Sequence, residues 1–119
     1  MAKKILIVDD EEGIRRVIST LLEMNNYEVR VAENGRDALE KLTAYNPDLI
    51  IADTNMPEMG GEELCKRVRG SETYRGLPII ALSGRDNKEL MIKAGANDYL
   101  SKPFKLKDLE DKIKQYLGE

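Results

Sequence analysis

Three short runs of this chain, 4–8 (KILIV), 48–52 (DLIIA) and 78–82 (PIIAL), are almost wholly apolar, rich in β-branched residues and bounded by polar or turn-forming ones. A strand that alternates apolar with polar residues has one wet face, whereas one that does not must be covered on both. Such runs restrict the chain to folds in which a sheet lies between layers of helices. Two weaker candidates, 28–32 (EVRVA) and 98–101 (DYLS), are interrupted by polar residues and read as edge strands.

Helical patterns separate these runs. Ile14, Val17, Ile18, Leu21 and Leu22 make an apolar stripe at i, i+3, i+4, i+7, i+8. Ala38, Leu39, Leu42 and Tyr45 make a second, with Asn34 as its N-cap and an end before Pro47. Leu64, Cys65 and Val68 mark a third that stops near Gly70, and Leu106, Leu109, Ile113 and Leu117 a last one after Pro103. The poorest is 86–94 (DNKELMIKA), whose only stripe is Leu90, Met91 and Ala94. Five strand-then-helix units, with no linker or internal repeat between them, predict an α/β fold with a parallel sheet.

Composition narrows the chemistry. At 119 residues the expectation is a single domain over 1–119 with no output domain. No apolar run approaches the ~18–20 residues that span a bilayer, and the run after Met1-Ala2-Lys3-Lys4 is too short for a signal peptide. One cysteine makes no internal disulfide and fits a cytoplasmic location; Cys65 reads as a small core residue. With 19 Lys plus Arg against 22 Asp plus Glu, the net charge of -3 argues against non-specific nucleic-acid binding. The absence of histidine excludes zinc sites and Ser-His or Cys-His catalysis, leaving carboxylates, hydroxyls, Lys and hard metals.

Ligands of open α/β sheets bind beyond the carboxyl ends of the strands. There the sequence places Asp9, Asp10 and Glu11, then Asp53 to Met56, then Ser83, then Lys102. Glu11 and Glu12 read as acids favouring the first turn of a helix. Asp9 and Asp10 abut four apolar residues and have no neighbouring Lys or Arg, and a parallel sheet brings Asp53 beside them. Three clustered carboxylates repel one another unless protons or a cation are taken up, and oxygen-only ligands favour Mg²⁺ or a similar ion. Alone, Ser83 is a turn serine and Lys102 an exposed lysine before a proline. Together with the carboxylates and a metal they form a phosphoryl-binding set, in which a carboxylate can itself be the nucleophile.

The segments KILIVDDEEGIR, PDLIIADTNMPEMGGEEL, PIIALSG and KAGANDYLSKPF, in this order and spacing, resemble the response-regulator receiver domains of bacterial two-component signalling over residues 3–117. The resemblance implies a flavodoxin-like, doubly wound five-stranded parallel sheet in order 2-1-3-4-5 with five helices. It implies that Asp53 is the phosphoacceptor, that Asp10 ligates Mg²⁺ directly and Asp9 mainly through water, and that the Asn55 backbone carbonyl adds a metal oxygen. Ser83 takes the place of the family's switch hydroxyl, Lys102 that of its lysine, and Pro103 a position that follows a cis peptide. Tyr99 matches the switch aromatic and turns inward on phosphorylation, while Asn55 and Arg85 tune dephosphorylation. Two positions depart from the family pattern: Thr54, where an aliphatic residue is usual, and Gly84, where Ala is common.

The implied function is a phosphorylation switch rather than a turnover enzyme. The phosphohistidine comes from a histidine kinase or histidine phosphotransfer protein docking near the first helix. A downstream protein target reads the fourth-helix, fifth-strand and fifth-helix face, including Lys88, Lys105 and Lys107. The domain is expected to be a monomer before phosphorylation and to touch neither nucleic acid nor membrane directly. A Mg-dependent phosphatase with an aspartate nucleophile is the alternative of another class, but it calls for two Asp separated by one residue and a cap insertion. A flavin-binding module is disfavoured because Asp9 to Glu12 repel a phosphate. A receiver belonging to a longer regulator or hybrid kinase is the alternative of context.

Overall fold

The three continuous apolar runs become the three central strands of a five-stranded parallel sheet. The computed structural model describes residues 2–84 and 86–118. Strands β1 (Lys4–Val8), β2 (Glu28–Ala32), β3 (Leu49–Asp53), β4 (Ile79–Ser83) and β5 (Asp98–Ser101) alternate with helices α1 (Glu12–Met24), α2 (Gly35–Tyr45), α3 (Gly61–Arg69), α4 (Lys88–Ala94) and α5 (Leu106–Leu117). The strand order is β2-β1-β3-β4-β5, every neighbouring pair is parallel, and the two interrupted strands are the edges, as expected.

Successive side chains of a strand point to opposite faces, and so the central strands feed two cores. Leu6, Val8, Ile50, Ala52, Ile79 and Ala81 pack with residues of α2, α3 and α4. Ile5, Ile7, Leu49, Ile51, Ile80 and Leu82 pack with Ile18 and Leu22 of α1 and Leu109 and Ile113 of α5. β3 and β4 start and end one residue later than the apolar runs do. Pro78 has no N–H to give a ladder, and the Asp48 side chain accepts from the Lys4 backbone N–H at 2.7 Å while its own N–H donates to the Lys4 carbonyl at 2.7 Å. Asp53 and Ser83 thereby close their strands, and the pleat fixes which face each occupies.

The helices follow their stripes unevenly. Asn34 caps α2, its side chain accepting from the Asp37 N–H at 2.8 Å, and Asn46 ends that helix in the left-handed region. α4 has only seven residues and no side-chain cap, and of its expected stripe Met91 and Ala94 are buried while Leu90 is exposed. A helix of two turns has too narrow a face to bury three residues spread over it. Val17 of α1 is exposed as well. Cys65 lies wholly in the core, where burial pushes its thiol up to about 11.

Candidate functional site

Asp9, Asp10, Asp53 and Lys102 meet at the carboxyl edge of the sheet. The three aspartates each offer a carboxylate oxygen within 4.8 Å of the others; Asp9 and Asp53 are buried and Asp10 is exposed. The Lys102 ammonium lies 3.2 Å from Asp9 Oδ2 and 3.3 Å from Asp53 Oδ1, with Glu11 Oε1 farther off at 3.8 Å. Asp9 is held from below as well: its Oδ1 accepts from the Glu11 N–H at 2.9 Å, and its backbone carbonyl accepts from Arg15 at 2.7 Å. Beside Asp53 an open cleft of about 590 Å³ is lined by Asp10, Thr54, Asn55, Met56, Pro57, Gly60, Glu62 and Glu63. The Lys102–Pro103 peptide is cis.

The loop after Asp53 is built to pass close to the strand end. A Cβ on Gly61 would collide with the Asp53 carbonyl oxygen, and one on Gly60 would lie 2.7 Å from that of Thr54. Glycine at both positions lets the first turn of α3 pack directly against backbone. The far side of the loop is tied to α2: the Gly35 N–H donates to Met59 O at 2.8 Å, and Asn34 donates to Glu58 at 3.2 Å. Asn34 therefore serves both as a helix cap and as an anchor of the loop.

Burial pushes the Asp53 carboxyl above its usual range and the Asp9 charge adds to the rise, while the charge and hydrogen bond of Lys102 and the Thr54 N–H oppose it. Burial disfavours the charge on Lys102, but the Asp9 and Asp53 carboxylates outweigh it, so its pKa is raised. The ammonium is thus held charged between two carboxylates. Together the three aspartates are an all-oxygen donor set without His or Cys, which suits a hard divalent cation.

The sequence profile of the response regulator receiver domain family matches residues 5–114. The chain belongs to that family. It is 38% identical over 120 residues to the alkaline phosphatase synthesis transcriptional regulatory protein PhoP of Bacillus subtilis, covering 98% of this chain and 49% of that protein. The chain spans about half the length of the curated relatives it matches. A putative response regulator of Chloroflexus aurantiacus superposes with a TM-score of 0.95 at 37% identity, over 100% of both chains. The receiver domain of sensor histidine kinase PA1611 from Pseudomonas aeruginosa, described with a magnesium ion coordinated in its active site cleft, superposes with a TM-score of 0.91 at 30% identity, again over 100% of both.

The receiver fold brings Asp9, Asp10, Asp53 and Lys102 together and sets Asn55 on the cleft beside Asp10. Arg85 lies outside the described residues. Ser83 closes β4 fully buried, and Thr54 Oγ1 donates to its hydroxyl at 2.9 Å. Nothing in the sequence announces that partnership, since Thr54 stands out there only as a departure from the family pattern. Two further placements come with the fold. Asp9 has no cation near it in sequence, yet pairs with Lys102 from 93 residues away. The Tyr99 ring, expected to turn inward on phosphorylation, already lies inward at 8% exposure, in the core shared with α2, α3 and α4. Gly84 is exposed, and a methyl group added there would meet nothing within 4 Å, so no steric need selects glycine. Among the described residues no helix is long and apolar enough to cross a membrane.

Proposed function

We propose that this receiver domain is a phosphorylation switch in which Asp53 takes a phosphoryl group from a phosphohistidine of a partner histidine kinase or histidine phosphotransfer protein. The observation that carries the reading is the convergence of three carboxylates, with oxygens within 4.8 Å of one another, on an ammonium that bridges two of them. The chain has no histidine of its own, so the donor imidazole belongs to the partner. The groove between Ile14, Val17 and Ile18 of α1 and Pro103, Phe104 and Leu106 is an apolar surface beside the site that suits that partner.

Lys102 and the Thr54 N–H favour the ionised, nucleophilic form of Asp53 against the burial and the Asp9 charge that raise its pKa. One carboxylate oxygen bonds to phosphorus as the phosphorus–nitrogen bond to the imidazole breaks, leaving an acyl phosphate on Asp53 and a free histidine on the partner. The product carries roughly two negative charges and new acceptor oxygens. Lys102 and the Ser83 hydroxyl donate to those oxygens. Asp10, Asp53 and the Asn55 backbone carbonyl, with Asp9 mainly through water, would hold Mg²⁺, which would neutralise the clustered carboxylates and the charge developing on the phosphoryl group. Support for the metal comes from the donor set itself and from the magnesium described for the PA1611 receiver.

Ser83 and Tyr99 carry the change to the face of α4, β5 and α5, where Lys88, Lys105 and Lys107 are exposed to a downstream protein. Tyr99 already lies inward, so its part is to hold that position while Ser83 moves, beside the short α4, which has no side-chain cap. Asn55 and Arg85 set how long the phosphoryl group lasts by controlling the approach of water. Replacing Asn55 should change phosphoryl lifetime more than Mg²⁺ affinity, because its metal ligand is a backbone carbonyl; equal lifetimes in variant and wild type would reject this role.

The decisive test is uptake of phosphoryl from a small acyl phosphate in Mg²⁺, followed by mass spectrometry. Wild type should gain one phosphoryl group and Asp53→Asn none; uptake by the variant at the wild-type rate overturns the assignment. A second reading, that the chain is the receiver part of a longer regulator, is favoured by relatives about twice its length. The reading frame on either side of this segment in its gene tests it: an adjoining output domain supports it.

A further inference from the structure

We propose that Thr54 is a positioning residue that holds the Ser83 hydroxyl in its resting place and thereby opposes the phosphoryl-bound state. The inference rests on the reading of Asp53 as phosphoacceptor and adds to it a residue that sets the switching equilibrium. Thr54 is 7% exposed and Ser83 0%, and their hydroxyl oxygens are 2.9 Å apart. Both sit at strand ends whose facing is known. Asp53 is registered with Leu82, and Leu82 and Ile51 belong to the core under α1 and α5, so Asp53 opens on that side. Ser83, one residue on, faces the opposite side with Ala81, toward α2, α3 and α4, and there it meets Thr54.

For Ser83 to donate to a phosphoryl group on Asp53, its hydroxyl must turn across the end of β4. The Thr54 hydroxyl then loses its partner in a hydrogen bond that is buried, on the wall of the cleft beside Asp53. Leaving a buried donor without its acceptor carries the desolvation penalty of that group, while an aliphatic residue at the same place has nothing to lose. The bond between the two hydroxyls therefore favours the resting state by a factor equal to its net strength. The Thr54 side chain acts through Ser83.

Beryllofluoride in Mg²⁺, a mimic of the phosphoryl group, reads the equilibrium directly. Thr54→Val keeps the shape and removes the hydroxyl, and should tighten beryllofluoride binding by about threefold to tenfold, the worth of one net hydrogen bond. Thr54→Ser retains the hydroxyl and should bind within about twofold of wild type. In a Ser83→Ala background the Thr54→Val gain should vanish, a pattern that a general loosening of the fold does not produce. Unchanged or weaker binding by Thr54→Val, or a gain that persists without Ser83, overturns the inference. If wild type itself binds no beryllofluoride in Mg²⁺, the phosphoacceptor reading falls and this inference with it. If wild type binds and Thr54→Val matches it, only the role of Thr54 falls.

Discussion

Ile51 and Asp53 stand two residues apart on β3, face the same side of the sheet and are 0% and 6% exposed. Ile51 enters a core with Ile18, Leu22, Leu109 and Ile113, where burying a side chain of its size contributes about 1.5–3 kcal/mol. Asp53 places an ionisable group in nearly the same seclusion, beside the charge of Asp9, and its pKa rises in consequence. The same pleat that makes the body of the sheet stable makes its carboxyl edge strained electrostatically. The body can tolerate that edge because it supplies the free energy, and the edge is useful because a cation or a phosphoryl group relieves it.

The body of the sheet is tested first, because it should give the largest effect. Ile51→Ala should cost about 2–5 kcal/mol in chemical denaturation, the range for truncating a fully buried large aliphatic residue. A loss below about 1 kcal/mol would mean that this core is not as tightly packed as its burial indicates.

The edge should respond to metal with an effect of similar size. If Mg²⁺ occupies the aspartate cluster, raising it to a hundred times its Kd should add about 2.7 kcal/mol to wild-type stability by mass action. Asp53→Asn should reduce that gain, and a variant stabilised as much as wild type would remove Asp53 from the metal's ligands. Without divalent metal the same substitution should act in the other direction. A carboxyl whose folded-state pKa is raised favours folding below its usual value of 3.8 and loses that contribution as pH rises through the raised value. Metal-free Asp53→Asn should therefore be more stable than wild type at neutral pH, with the difference closing as pH falls toward 3.8. A neutral-pH loss of stability would show that Lys102 more than compensates the buried charge.

The body is easier to read in the sequence than the edge, for a physical reason. Runs such as 4–8 and 48–52 carry their burial in composition, and the facing of each residue follows from a period of two. At the start of β3 and β4 stand Pro78, which has no N–H to give, and Asp48, whose side chain accepts from Lys4, features that no periodicity records. Asp9 and Asp53 are visible as acids ending apolar runs. Their pairing with Lys102 arises only once β5 is laid beside β4, two strands beyond β3 and three beyond β1. Thr54 and Ser83 are legible as single hydroxyls and not as a pair, since their contact depends on the register between β3 and β4. The pattern of α4 admits Leu90 to its stripe, but seven residues bury only Met91 and Ala94.

Asp98 provides the smallest and sharpest contrast with Asp53, because it is a carboxylate at the amino end of its strand. Burial acts to raise its pKa too. Here, however, Lys112 donates at 2.9 Å, the Tyr99 N–H at 2.8 Å and the Tyr116 hydroxyl at 3.0 Å, and the net shift is downward. A lowered carboxyl contributes stability above its usual value of 3.8 and loses it as pH falls through the lowered folded value, the reverse of Asp53. Asp98→Asn should thus cost stability at neutral pH, by about 0.2–1 kcal/mol as for a partly exposed ion pair, and the cost should fade in acid. Because the group lies at the far end of the sheet from Lys102, beryllofluoride affinity should stay at the wild-type value. A large change in that affinity would mean that the tie between β5 and α5 is part of the switch and not only of the scaffold, and would place the boundary between body and edge inside β5.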